Sequence, residues 1–100
     1  MSLSPQWRTL QRGAWERGEK IIHEHHVELA EVEEVLSGKP FVRLQERGRR
    51  KGEDLYVAYG QTAAGRYIVA FIIHKGRGVA MPISARDMTR KERGYYASQR

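Results

Sequence analysis

One hundred residues suit a single hydrophobic core and exclude a large multidomain enzyme. With 40% apolar and 30% charged residues the chain can bury a modest core, and its lack of cysteine excludes a disulfide framework, a zinc–thiolate site and a thiol nucleophile. The formal charge of +6 is uneven: residues 1–40 hold 5 Lys/Arg against 7 Asp/Glu and residues 41–100 hold 13 against 5, an electrostatic footprint for a polyanion such as RNA, or for an acidic protein partner.

Residues 1–14 give no clear periodicity and read as an N-terminal extension, ahead of a single domain over 15–100. Glu16 to His25 can form a helix. A second is predicted where Leu29, Val32, Val35 and Leu36 recur at helical spacing, ending at Gly38 and Pro40. Glu28, Glu31, Glu33 and Glu34 are expected on its outer, solvated face, which would repel a phosphate backbone.

From Phe41 the period changes to alternation, with strand candidates at 41–47, 54–61, 66–74 and 78–85 separated by glycine-containing turns. The fold class expected is therefore α+β: two N-terminal helices, a four-stranded antiparallel meander and a C-terminal helix. Symmetric hairpins at Thr62–Gly65 and Lys75–Gly78 would set Gln61 against Arg66 and His74 against Val79. One face then gathers Leu55, Val57, Tyr59, Ile68, Ala70, Ile72, Met81 and Ile83 as the core. The other gathers Tyr56, Ala58, Gly60, Tyr67, Val69, Phe71, Pro82, Ser84 and Arg86, either a binding surface or a face covered by the last helix or a partner. A bulge in either turn would exchange these assignments. Thr89-Arg90-Lys91-Glu92 matches a capping box and starts a helix to about Ser98.

The longest apolar run, Ile68–Ile73, falls far short of the ~20 residues of a membrane span, so a soluble cytoplasmic protein without membrane contact is expected. His23 and His26 share a helical face, but no HExxH-type carboxylate completes a metal site, and neither metal nor cofactor is predicted. Phosphate-cradling glycine loops and a nucleophile elbow are absent. Arg47-Gly48-Arg49-Arg50-Lys51 lies on an inter-strand turn, where Arg49, Arg50 and Lys51 either grip phosphates or form a solvated loop tip.

Trp15, His25-His26-Val27, Glu31-Val32-Glu33-Glu34-Val35-Leu36, Gly38-Lys39-Pro40, Tyr56-Val57-Ala58-Tyr59-Gly60-Gln61-Thr62, Gly65-Arg66-Tyr67 and Ile83-Ser84-Ala85-Arg86-Asp87-Met88-Thr89-Arg90-Lys91-Glu92-Arg93 follow one another in an order that resembles the BrnT family. These are ribonuclease toxins of type II toxin–antitoxin systems. The resemblance implies a RelE-like fold, metal-independent RNA cleavage, and neutralisation by a BrnA-like ribbon-helix-helix antitoxin within a homo- or hetero-oligomer. DNA would be met only through the antitoxin. Where family members usually carry Lys-His-Gly-Val, this chain has Glu24-His25-His26-Val27, and Asp87 stands where some members place a second cation.

Metal-free cleavage needs a base for the ribose 2′-hydroxyl, cations on the pentacoordinate phosphate and an acid for the leaving oxygen. Arg86, at the sheet end beside the basic first turn of the last helix, is the leading phosphate clamp. Arg66 is a second clamp or a structural ion pair, and the guanidinium groups near the chain's end, Arg86 beside Arg90, are expected to converge on one phosphodiester-sized pocket. His25 is the family-matching residue whose ordinary pKa suits proton transfer, with an inter-helix structural role as its alternative. Arg90 and Lys91 would position the backbone, and Tyr67, opposite Arg86 in the expected register, would stack on a base or pack against the arginine stem. A second reading of the same charge is a non-catalytic basic module that retains the toxin fold and holds RNA or an acidic protein.

Overall fold

The computed structural model describes residues 7–11, 26–50 and 52–99. The expected helix over Glu16–His25, with His23 and His25, lies outside these residues, as does Lys51. Along the chain come β1 (Thr9–Leu10), α1 (Leu29–Ser37), β2 (Phe41–Glu46), β3 (Asp54–Gln61), β4 (Tyr67–Gly76), β5 (Val79–Asp87) and α2 (Arg90–Ser98). The strands form one sheet in the order β1-β5-β4-β3-β2. It is α+β, as expected, but five-stranded and mixed rather than a four-stranded antiparallel meander. The extra strand comes from the N-terminal segment: Thr9 and Leu10 run parallel to Val79 and Ala80, and Trp7 anchors them by packing on the core while its indole N–H donates to His74 Nδ1 at 2.7 Å.

Both hairpin registers differ from the symmetric expectation. Gln61 pairs with Tyr67 rather than Arg66. The reason is a five-residue loop, in which Thr62 N–H donates to the Arg66 carbonyl, Arg66 N–H donates to Thr62 Oγ1, and Gly65 takes φ +93°. A one-residue change in loop length turns every β3 side chain to the other face of its neighbour. In the next hairpin Val79 pairs with Gly76 and Ala80 with His74, so Lys75 is extra; the tight turn itself uses Arg77 at φ 53° and Gly78 at 77°, the left-handed pair of a type I′ turn. A second irregularity leaves Ile83 extra between the Phe71–Ser84 and Ile72–Pro82 pairs, beside a proline that cannot donate to the ladder.

These shifts redistribute the faces. The buried cluster under α1 joins Val27, Val32 and Val35 to Val42, Ala58, Ile68, Ala70, Ile72, Ala80 and Ala85. The opposite face joins Val57, Tyr59, Val69, Met88 and Tyr96, with Phe41, Tyr67 and Phe71 against them, so α2 covers it through Tyr96. Val57 and Tyr59, expected beside Ile68 and Ile72, therefore lie with Val69 and Phe71, and Tyr56 and Ala58 have moved to the α1 side. Gly60 lets α1 approach the sheet: a Cβ there would meet Val35 Cγ1 at 2.6 Å.

The acidic face of α1 is also less solvated than expected. Glu31 binds Arg66 and Glu34 accepts from the Ala63 N–H at 3.0 Å. Among the described residues no helix is long and apolar enough to cross a membrane.

Candidate active site

Arg86 is the penultimate residue of β5, paired with Val69, so it emerges on the α2 side of the sheet. Two residues beyond β5 the chain enters α2 at Thr89, and the capping box forms as the sequence predicts: Glu92 N–H donates to Thr89 Oγ1 at 3.1 Å and Thr89 N–H donates to Glu92 Oε1 at 2.8 Å. The same Glu92 carboxylate receives Arg86 end-on, Nη1 to Oε1 at 2.6 Å and Nη2 to Oε2 at 2.9 Å. Arg86 Nη1 also donates to the Asp87 carbonyl at 3.2 Å, and the guanidinium lies 5.7 Å from the Phe71 ring centre.

This geometry occupies three of the five N–H groups of Arg86. The edge formed by Nε and the second Nη2 hydrogen has no hydrogen-bond acceptor among the described residues, on a side chain still 32% exposed. A guanidinium can hold a carboxylate by its end and a phosphate by its side at once. Hydrogen bonding from Arg86 holds the Glu92 carboxyl down at about 2, opposed by burial and helped by the Thr89 amide; Arg86 is raised in turn, chiefly by Glu92.

Arg66 is used differently. Its Nε and Nη2 take Asp87 side-on, at 2.6 and 3.2 Å, and its Nη1 reaches both Glu31 oxygens at 2.9 and 3.0 Å and the His26 carbonyl at 3.0 Å. Hydrogen bonding from Arg66 lowers Asp87, and Arg66 is raised, first by Asp87 and further by Glu31. Arg66 thus ties the start of α1, the β3–β4 loop and the end of β5 together. The two clamp candidates do not share a pocket: adjacent residues of β5 place Arg86 on the α2 side, while Asp87 holds Arg66 on the α1 side. Each arginine is held there by a helix-capping carboxylate.

Tyr67 is not opposite Arg86, because the extra Lys75 and the Ile83 bulge each shift the register by one residue and together set Arg86 against Val69, while the Tyr67 carbonyl receives the Met88 N–H. It does share the α2-side face with Arg86, with the Arg93 guanidinium 4.3 Å from its ring centre. Arg90 and Lys91 are exposed in the first turn of α2. His25 lies outside the described residues, but His26 is exposed with φ 53°, a left-handed backbone.

Beside Glu92 a groove of about 470 Å³ is lined by Arg43, Tyr59, Lys91, Glu92 and Tyr95. Arg43 Nη2 donates to the hydroxyl of Tyr59, a residue otherwise buried, at 3.3 Å. Sequence reasoning missed Arg43, Tyr59 and Tyr95. The signal for Tyr95 was available, since Lys91 and Tyr95 stand at i, i+4 and Glu92 and Tyr95 at i, i+3; that for Tyr59 was lost with the hairpin register.

Arg49 and Arg50 lie at the other end of the sheet. There the β2–β3 loop and the β4–β5 turn enclose a groove of about 670 Å³ that includes Arg47, Arg49, Arg50, Lys75 and Arg77 against one carboxylate, Asp54, whose Oδ1 accepts from Gly48 N–H at 2.9 Å.

Compared with known proteins, residues 15–92 match a family model described as the ribonuclease toxin, BrnT, of type II toxin–antitoxin systems. No curated protein and no solved structure matches the chain.

Proposed function

From the premise that the chain belongs to the BrnT family of type II toxin–antitoxin ribonuclease toxins, with an antitoxin as its implied partner, we propose that it cleaves RNA without a metal ion at the Arg86 end of the sheet. The observation that carries this reading is the free side edge of Arg86. Glu92 fixes the guanidinium end-on, so its Nε–Nη2 edge is aimed in advance and can donate to two phosphate oxygens without first breaking the ion pair. Lys91 and Arg90 add cations beside it.

In the proposed step the ribose 2′-hydroxyl loses its proton to a base and attacks the adjacent phosphorus. The P–O5′ bond breaks as the departing oxygen takes up a proton, returned through water from the protonated base, leaving a 2′,3′-cyclic phosphate and a 5′-hydroxyl. His25 is the proposed base, because an imidazole suits proton transfer near neutrality. Arg66 acts by holding the His26 carbonyl and Asp87, not by touching phosphate, because Asp87, Glu31 and His26 occupy it. Arg49, Arg50 and Lys51 hold more distant phosphates of the strand.

The finer assignments belong to the same proposal: a RelE-like relationship, a BrnA-like ribbon-helix-helix antitoxin through which alone DNA is met, a cytoplasmic location, and residues 15–100 acting as one domain to whose sheet the 1–14 extension adds β1. The test is Arg86→Ala with Arg86→Lys beside it. Loss of one preorganised donor of this kind costs ~10²–10³ in rate, and lysine, which cannot present two parallel donors, should restore little. Cleavage by Arg86→Ala at the wild-type rate, with the fold intact by circular dichroism, would remove Arg86 from the site.

A further inference from the structure

We infer that the groove lined by Arg43, Tyr59, Lys91, Glu92 and Tyr95 is a nucleotide subsite, in which one unpaired RNA base stacks on Tyr95 beside the phosphate held by Arg86. The inference rests on the RNA-cleaving reading and adds to it a place for the base. Tyr95 is 38% exposed, one of only two large apolar side chains so exposed among the described residues. It is nevertheless braced: its ring meets Phe41 at 5.7 Å and Tyr59 at 5.4 Å, both at steep angles. A ring held in this way loses little freedom when a base stacks on it, and every base offers a face to stack.

Charge selects the occupant. Arg43 and Lys91 are exposed cations on the groove, and the Arg43 guanidinium lies 5.9 and 6.0 Å from the Tyr59 and Tyr95 ring centres, extending the aromatic surface with a plane that also stacks on bases. The groove's one carboxylate, Glu92, is already committed to Arg86 and Thr89, so it does not repel a phosphate as a free acid would. Glu92 both lines the groove and holds Arg86, so the base surface and the phosphate donors meet at one carboxylate. The larger groove at the other end of the sheet holds more cations but, among the described residues, only the His74 imidazole as a ring in its lining, and suits backbone alone.

The test compares two non-cleavable oligomers of equal length, 2′-O-methyl RNA and a base-free ribose-phosphate chain with the same 2′-O-methyl groups, by fluorescence anisotropy. Tyr95→Ala should weaken binding of the RNA by about tenfold or more, the range of one lost base–aromatic stack, and leave the base-free chain unchanged. Tyr95→Phe should bind both like wild type, and Tyr95→Leu, which keeps apolar bulk without a ring, should behave as alanine. Arg86→Ala should weaken both oligomers. Equal binding of the RNA by Tyr95→Ala and wild type overturns the subsite and leaves the groove to a protein partner; equal loss of both oligomers overturns it by showing a site of charge alone. Wild type that binds with this Tyr95 dependence but leaves ordinary RNA uncut keeps the subsite and refutes cleavage instead.

Discussion

Glu31 and Glu92 each stand at the third position of a helix, and each turns its carboxylate to two donors at once: the amide of its own N-cap residue and an arginine from the sheet side. Burying a charged end this way is favourable only while both partners remain ionised. The sign of the pH dependence follows. Arg86 holds Glu92 down from an ordinary 4.5 to about 2, so its contribution is complete above pH 4.5 and is lost as pH falls through that window. Glu92→Gln should be less stable than wild type at neutral pH, and its melting temperature should fall less steeply than that of wild type between those two values. The backbone at residue 26 offers a second prediction. A left-handed histidine costs about 1 kcal/mol or more that glycine does not incur, so His26→Gly should melt no lower than wild type. A clear fall in calorimetry would contradict the assignment of strain there.

At the scale of elements, the chain's own pattern yields α1, β2 to β5 and α2 within a few residues, because valine spacing, alternation and the Thr89–Glu92 box are local signals. Which strand faces which is not local. It turns on whether Arg66 belongs to β4 or to the loop, and Arg66 is drawn out by Asp87 and Glu31, residues 21 and 35 positions away. That one residue moved Tyr59 from the predicted core face to the α2 side and hid half of the groove. For the same reason Arg86 was legible as a sheet-end cation, while its partner in the capping box was read only as a cap. A stability prediction belongs here. Gly60→Ala forces a methyl into Val35 and should cost about 1–3 kcal/mol by pushing α1 off the sheet. Denaturant unfolding reads this directly, and an unchanged midpoint would contradict the close packing of α1.

Over the described residues, cations gather at two ends of one sheet. At one, Glu92 neutralises and aims Arg86; at the other, Arg47, Arg49, Arg50, Lys75 and Arg77 line one groove with Asp54 as its carboxylate. The first arrangement suits selective stabilisation of one phosphate and the second suits general attraction of a strand. Replacing Arg49 and Arg50 by alanine should therefore weaken binding of non-cleavable RNA without regard to sequence, and lower the slope of log affinity against log salt by about 0.7 for each phosphate no longer neutralised. An unchanged slope would make that end a solvated loop tip. The parallel β1 strand had no such warning in the sequence, because two residues are too few for a period and its anchor, Trp7, acts across 67 positions on His74.

Metal-free cleavage at the Arg86 end is tested most directly by incubating a defined RNA with the purified chain in excess chelator and resolving the products by end-group analysis. Attack by the 2′-hydroxyl predicts 2′,3′-cyclic phosphate and 5′-hydroxyl ends, formed at the same rate with and without chelator, and no cut at a position whose ribose lacks the 2′-hydroxyl. RNA left whole in chelator but cut once a divalent cation is restored, or a cut that survives removal of the 2′-hydroxyl, would contradict it.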